Sequence, residues 1–369
     1  MYKDVSDAWI TAHNNYLAPE GFVELTFHIP KAGQTLVYTK SELMSFTHEQ
    51  TGSVVSGELP KNHIEFALDN SDDKWNPSYP KGLTRYLTER LKITLRYGFD
   101  IDGVMEWMPG GTFYLSEWYT PANGLEASFK ARDLLEFLMD TLFTGALTGT
   151  LYDLAVSAIQ SGDLPEGVTW VFDDVLKNYT VADIEYAGDE SVAEILQKCA
   201  NAAGCVMYQD RSGVLRIEPL TYENCGFVVT KDISYSYPEI EYSRPLKQVE
   251  VTYGNDQKTT LNYASSGEVQ TLHNEFIATA AQAVSIAKWV VDALKTRMQI
   301  SGDFRSDCRL DLFDVITVES KYGMIYDIVL TNIKYTFTGA FRATYSGHIR
   351  GAGTVAELFS GEVYSGEVI

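Results

Sequence analysis

Apolar and polar side chains alternate along residues 22–29, 64–68, 91–97, 112–119 and 125–131, and each run is bounded by Gly, Pro, Asn or Asp. A period of two between such punctuation predicts half-buried strands, and their regular spacing predicts a barrel or sandwich of about 110 residues. Residues 69–87 interrupt the rhythm, and a connection of that length predicts a functional or interface-forming loop. The period then lengthens. Residues 132–143 and 151–160 read as helices separated by Gly145 and Gly149. Ser191 and Glu194 stand at capping-box spacing ahead of Ile195, Leu196, Cys199 and Ala200 on one helical face, with Gly204 placed for a left-handed C-cap. Residues 205–209, the turn 210–213 and residues 214–219 follow as a tight hairpin, which makes a compact α+β unit.

Pro238 and Pro245 mark the passage to a last β segment that opens at residues 248–253. Within it, Ile277, Ala281, Val284, Ala287, Val291, Leu294 and Met298 recur every three or four residues, the stripe of an amphipathic helix, with Thr279 and Gln282 at capping spacing near its start. After Gly302 the period returns to two through residues 313–318, 326–337 and 341–349, broken at Tyr322-Gly323 and Thr338-Gly339. This predicts an antiparallel meander of a small barrel or a strongly twisted sheet. From Gly351 the chain is short and acidic and carries Ser-Gly-Glu-Val at 360 and again at 365. A repeat that short cannot form a core, so it predicts a loose end or a docking arm.

Composition narrows the function more than the fold. At 369 residues and 45% apolar the chain supports two or three cores, and 23 Tyr with 17 Phe favour strands and broad contact surfaces. Fifty acidic against 29 basic residues give a net charge of −21, which denies the chain the counterion release that drives tight nucleic-acid binding. The four cysteines lack C-x-x-C spacing and are expected as reduced, mostly buried thiols. No run approaches eighteen apolar residues, and the start has no apolar signal core, so no membrane segment or export signal is expected.

No chemical constellation in the sequence is specific. Asp69, Ser71 and Asp73 open like a calcium loop, but Lys74 stands where the turn needs Gly, so an Asx-rich turn is the better reading. His48-Glu49 begins like a metalloprotease helix, yet Gly52 replaces the second ligand. Glu106, Glu117 and Glu126 are candidates for a glycosidase carboxylate pair only if two of them lie about 5–10 Å apart. Met108-Pro109-Gly110-Gly111-Thr112 reads as a turn before a strand, and Trp75, Trp107 and Trp118 as core or interface aromatics in preference to a sugar-stacking surface. No catalytic residue, cofactor or metal site is assigned.

Three stretches together resemble phage tail proteins. Residues 64–70 through Trp75-Asn76-Pro77 and Pro80-Lys81-Gly82-Leu83 to Gly98, with 111–118 leading to 131–135, are similar to the N-terminal region of tail proteins from phages of Gram-positive hosts. Residues 191–217, with Tyr208-Gln209-Asp210-Arg211-Ser212-Gly213 at their centre, resemble the α+β domain of tail hub proteins. Residues 287–297, 311–318 and 333–337 resemble the closing barrel of that baseplate-hub or tail-tip group, which is related to late control protein D. Where the group opens its last barrel with P-x-L-x-x-G-D, this chain has Cys308-Arg309-Leu310-Asp311-Leu312-Phe313-Asp314, with Phe313 in place of Gly.

The resemblance implies a mainly β chain with an α+β part: two small β-barrel domains around an α+β domain, hub-like, with divisions at 1–135, 136–240, 241–350 and a C-terminal extension 351–369. It implies a homotrimer whose barrels make a pseudo-sixfold ring between a sixfold tail tube and a threefold tip. Partners would be further copies of itself, a tail tube or distal tail protein, and a tail spike, fibre or tape-measure protein. Its place would be the virion tail, after synthesis in a host bacterial cytoplasm. Leu358, Phe359, Val363 and Tyr364 of the terminal stretch are the expected partner contacts. A ring of this kind buries sheet edges between copies, and an acidic wall lets DNA pass without binding it. The alternative is a tail protein that binds or cleaves host cell-wall carbohydrate.

Overall fold

The computed structural model describes residues 1–14, 19–29, 33–55, 58–122, 124–165, 167–181, 188–296 and 298–354. A short helix α1 (Asp7–Asn14) precedes seven strands: β1 (Glu20–Ile29), β2 (Gln34–Tyr38), β3 (Leu43–Thr51), β4 (Lys61–Asp69), β5 (Lys92–Ile101), β6 (Val104–Tyr119) and β7 (Glu126–Arg132). They hydrogen-bond antiparallel in the order β2-β1-β5-β6-β7-β4-β3 and form an N-terminal lobe. Every second residue of β1 from Phe27 back to Val23 is buried, as its alternation predicts. The loop 69–87 leaves residues 77–81 exposed and is anchored at Trp75. It folds back so that Trp75 is fully buried against Phe27, Tyr38 and Phe129, with ring centroids 4.9–6.0 Å apart, and fills the middle of the lobe. Its turns are the Asx type expected at Asp69, whose Oδ1 and Oδ2 accept from Ser71 N and Oγ, each at 2.9 Å.

The α+β unit comprises α2 (Leu134–Leu138), α3 (Leu151–Ser161), β8 (Thr169–Phe172), α4 (Val192–Ala202), β9 (Val206–Gln209) and β10 (Val214–Glu218). The capping box at Ser191 and Glu194 is formed and Gly204 takes φ +68, as the pattern requires. A second capping box, Thr150 with Asp153, starts α3. The helix expected over 132–143 is only the five residues of α2, because the chain turns after Leu138 and Leu142 bridges to Ser191.

The remainder runs β11 (Asn224–Val229), β12 (Glu239–Tyr242), β13 (Leu246–Tyr253), β14 (Gln257–Asn262), β15 (Glu268–Asn274), α5 (Ala280–Leu294), β16 (Met298–Arg305), β17 (Val315–Glu319), β18 (Met324–Phe337) and β19 (Phe341–Thr354). α5 is the expected helix, but its buried face is turned from the expected stripe. Ala283, Ile286, Ala287, Val290 and Ala293 face inward while Val284 is exposed, because the β14-β13-β15 sheet beneath takes the face of small residues. The last strands are not a plain meander either: β16 returns beside β19, in the order β17-β18-β19-β16-β12, and β11 pairs β17 in parallel. β19 continues through Gly351 to Thr354, paired with Met324, so the strand takes in the start of the expected terminal extension.

Neither lobe closes on itself among the described residues. β3 pairs β18 from Phe46↔Phe337 to Thr51↔Asn332, which merges the N-terminal strands and β16–β19 into a single 13-stranded sheet. The apolar packing follows this merger. Phe46, Tyr97, Tyr335 and Phe341 lie in one core with residues of both lobes, while residues 246–294 pack with the α+β unit. The fold is mainly β. No helix among the described residues is long and apolar enough to cross a membrane.

Candidate assembly site

The 13-stranded sheet and the α+β unit meet at a polar joint built from a hairpin tip. β9 and β10 are joined by the turn Asp210-Arg211-Ser212-Gly213, and Asp210 Oδ1 accepts from Ser212 N and Val214 N to hold it. Gly213, at φ +83, lies so close to Thr112 of β6 that a Cβ there would sit 3.0 Å from the Thr112 side chain. The tip drives Arg211 into the joint. Its Nε donates to both Asp311 oxygens at 2.7 and 2.8 Å, Nη2 to Leu310 O at 2.7 Å and Nη1 to Pro109 O at 3.1 Å. Burial opposes the charge on this guanidinium, and Asp311 together with Tyr335 and Tyr97 outweighs it, so its pKa is raised.

Two backbone irregularities present those carbonyls. Met108-Pro109-Gly110-Gly111-Thr112 is not the expected turn; it lies inside β6 as a bulge opposite Leu95 and Arg96. Gly110 has no room for a Cβ against Leu95, and Gly111 takes φ +145. The bulged strand offers Pro109 O to Arg211. On the other side, the 306–314 segment passes between the lobes with Cys308 at φ +61 and Phe313 at φ +69. Phe313 thus holds a left-handed conformation that suits Gly, at the position where the tail-protein pattern has Gly. Its ring is buried beside Tyr208, centroids 6.4 Å apart.

The joint extends as a hydrogen-bonded network into β3. Tyr335 donates to Leu310 O at 2.6 Å, and Leu312 N donates to Gln50 Oε1 at 2.9 Å. His48, fully buried, contacts Asn62 Oδ1 through Nε2 at 2.7 Å and the Tyr97 hydroxyl through Nδ1 at 2.5 Å. These partners put the proton on Nε2, and burial pushes the imidazole pKa down to about 4, so the ring is neutral. Gln209 completes the attachment: its Oε1 accepts from Leu134 N at 2.9 Å and its Nε2 donates to Thr112 O at 2.7 Å. Asp133, the N-cap of α2, is buried and accepts from Glu136 N at 3.1 Å; burial raises its pKa to about 8.

Away from the joint, two groups of exposed aromatic and apolar residues stand out. Tyr235, Tyr237 and Tyr242 surround β12, with Tyr242 76% exposed. Trp118, Tyr119 and Leu125 surround the β6–β7 turn, with Tyr119 69% and Leu125 75% exposed. Of these only Trp118 was singled out by the sequence, since an isolated Tyr at a strand end carries no periodic signal.

The residues weighed for chemistry do not assemble. Glu106 and Glu117 are eleven positions apart on β6, about 35 Å along an extended strand, and Glu126 pairs with Asp69 on the far edge of β7. His48 is occupied by Tyr97 and Asn62, and no cluster of three or more His, Cys, Asp or Glu fit to hold a metal occurs among the described residues. Trp75 is core, and Trp107 lies under Arg96, so the three tryptophans do not form one platform. Cys199, Cys205 and Cys308 are buried thiols. Leu358, Phe359, Val363 and Tyr364 fall outside the described residues.

No family model matches the chain, and no curated protein matches it by sequence. Solved structures do share its fold. A tail protein from Neisseria meningitidis MC58 superposes with TM-score 0.64 at 11% identity, over 89% of this chain and 96% of that one. The 43 kDa tail protein of prophage MuSo2 from Shewanella oneidensis gives 0.59 at 13% identity, over 89% and 98%. Prophage tail protein gp18 from Listeria monocytogenes EGD-e gives 0.57 at 12% identity, over 92% and 97%. This chain therefore has a fold found in phage and prophage tail proteins, present at nearly its full length.

Proposed function

We propose that this chain is a structural protein of a phage-type tail, a hub that assembles as a ring of three copies, joins the tail tube to the tip or spike, and leaves room for DNA to pass. The observation that carries the reading is the β3–β18 ladder, which fuses two strand-rich lobes of one chain into a single sheet. A ring in which each copy supplies two successive segments needs that joint to be rigid, and a backbone ladder is rigid in both spacing and register. The full-length likeness to three tail proteins supports the same reading. In it, the N-terminal strands and the strands after residue 298 act as the two barrel-like halves, and the α+β unit stands beside them. The net charge of −21 suits a wall that DNA passes without sticking. Leu358, Phe359, Val363 and Tyr364 would contact a tube or tip protein.

Three experiments test this. Sedimentation of the full chain is expected to show a trimer at micromolar concentration, and imaging of tails is expected to place the chain between tube and tip. Deleting residues 355–369, beyond the end of β19, is expected to leave the melting temperature unchanged and to lower incorporation into tails severalfold. A chain monomeric at every concentration and absent from tails ends the proposal.

A further inference from the structure

The helix α1 lies on the N-terminal lobe through two rings. Trp9 is 1% exposed and stands edge-on to Phe99 of β5, ring centroids 4.8 Å apart. His13, one turn further on, stacks on Trp9 at 5.2 Å and meets Phe99 edge-on at 4.5 Å, so its imidazole is the third member of a buried aromatic cluster. Its Nδ1 lies 2.8 Å from Trp9 O. A carbonyl only accepts, so the ring proton sits on Nδ1, and the buried Nε2 has no hydrogen-bond partner among the described residues. Elsewhere the arm is held by single bonds: Tyr2 N donates to Arg309 O at 2.9 Å, Ser6 Oγ to Glu106 Oε1 at 2.7 Å, and Arg305 Nη2 to His13 O at 2.9 Å.

We propose that residues 1–14 form an acid-released strap with His13 as its catch: protonation of the imidazole undocks α1 from β5 while the sheet stays folded. A proton on Nε2 creates a buried donor without an acceptor and a charge in apolar surroundings, and both oppose docking. The charges that face the ring come from the 305–309 segment: Asp307 favours the imidazolium, and Arg309 and Arg305 oppose it. Asp307 is already engaged, since its Oδ1 accepts from Arg309 N at 3.2 Å and its Oδ2 from Arg309 Nε at 2.6 Å. β5 presents the uncharged Phe99 ring, while Asp7 of α1 and Glu106 of β6 stand at the other end of the helix. Burial outweighs Asp307, and the imidazole pKa lies below its ordinary 6.5. A group lowered in this way contributes fully above the ordinary value and loses its contribution as pH falls, so docking is complete above pH 6.5 and weakens below it. The release stays local because α1 adds no strand to the sheet, and eight residues are too few to hold a helix once undocked. The strap belongs to a single copy, so it goes beyond the hub reading and does not depend on it.

Amide exchange on the full chain from about pH 7.5 to about pH 5, corrected for the intrinsic rate, tests the strap. Protection of residues 7–14 should fall below pH 6.5 by up to about tenfold per pH unit, the limit for one proton, while β1 and β5 keep theirs. His13→Phe keeps a ring between Trp9 and Phe99 and removes the titration, so α1 protection should become independent of pH. Protection that is flat in wild type, that falls equally in His13→Phe, or that is lost from β1 and β5 in step with α1 overturns the proposal. If His13→Phe undocks α1 at every pH, the wild-type imidazole decides through its own nuclear magnetic resonance titration. A ring that titrates below 6.5 in step with the loss of α1 supports the strap, and one that titrates at or above 6.5 overturns it.

Discussion

The two joints inside this molecule are made of different material. Lobe meets lobe through a backbone ladder, from Phe46↔Phe337 to Thr51↔Asn332, whereas the α+β unit meets the sheet through side chains, among them Arg211, Gln209 and an apolar contact that includes Tyr114 and Phe313. A ladder bonds through main-chain groups, and its register follows from which side chains face the core, here Phe46, His48 and Gln50 of β3. A side-chain anchor depends on a few atoms and fixes orientation. The fold uses its main-chain joint where shape must be continuous, and its side-chain one where a unit must be set at a given angle.

The sharpest way to break this contrast is Arg211→Ala. It leaves the Asp311 carboxylate in the joint without its partner, and removing one member of a buried pair costs roughly 3–5 kcal/mol. Chemical denaturation should read that loss, while amide exchange in β3 and β18 stays slow; exchange that accelerates equally in the ladder would show that the joints are one. Gln209→Ala should cost about 2 kcal/mol, since it strips a buried backbone donor, Leu134 N, of its acceptor. Protection lost first in α2 would confirm the route. Tyr335→Phe deletes one hydrogen bond to Leu310 O and should cost about 1 kcal/mol with no change in either joint's order of melting.

The smallest effect at neutral pH belongs to His48. Its folded pKa, about 4, lies below the ordinary 6.5, so its contribution is complete above pH 6.5 and is lost as pH falls toward 4. Asp133, raised to about 8, acts with the opposite sign: its contribution is complete below the ordinary carboxylate value and is lost as pH rises toward 8. The test is therefore a difference. Between pH 6.5 and 4, wild type should lose more stability than His48→Gln in denaturant titrations, and parallel curves would remove His48 from the account.

Much of this was legible in the chain, and the illegible part has a physical cause. Capping at Ser191, the hairpin at 205–219 and the strands at 22–29 and 326–337 follow from local patterns, because their inward positions are apolar. β3 shows no such pattern, although it is the strand that joins the lobes. Two of its inward positions are His48 and Gln50, buried polar residues that satisfy their hydrogen bonds within the joint, so the alternation that betrays a strand is absent. That the strands the resemblance assigns to two barrels form no closed barrel among the described residues has a related reason. Spacing along the chain says how often strands occur and is silent on whether the last pairs with the first or with a strand almost 300 residues away. The hairpin tip was recognisable as Tyr208-Gln209-Asp210-Arg211, but the acceptors of Arg211 come from residues 109, 310 and 311, which no local reading brings together.

Trp75 has an implication for traffic through any tail built from this chain. Its indole is wedged among Phe27, Tyr38 and Phe129 and occupies the middle of the N-terminal lobe. In the ring proposed above, a polymer would pass between the copies and not through a lobe. The calibre of that conduit is then a property of copy number and curvature, and no substitution inside a single lobe can widen it.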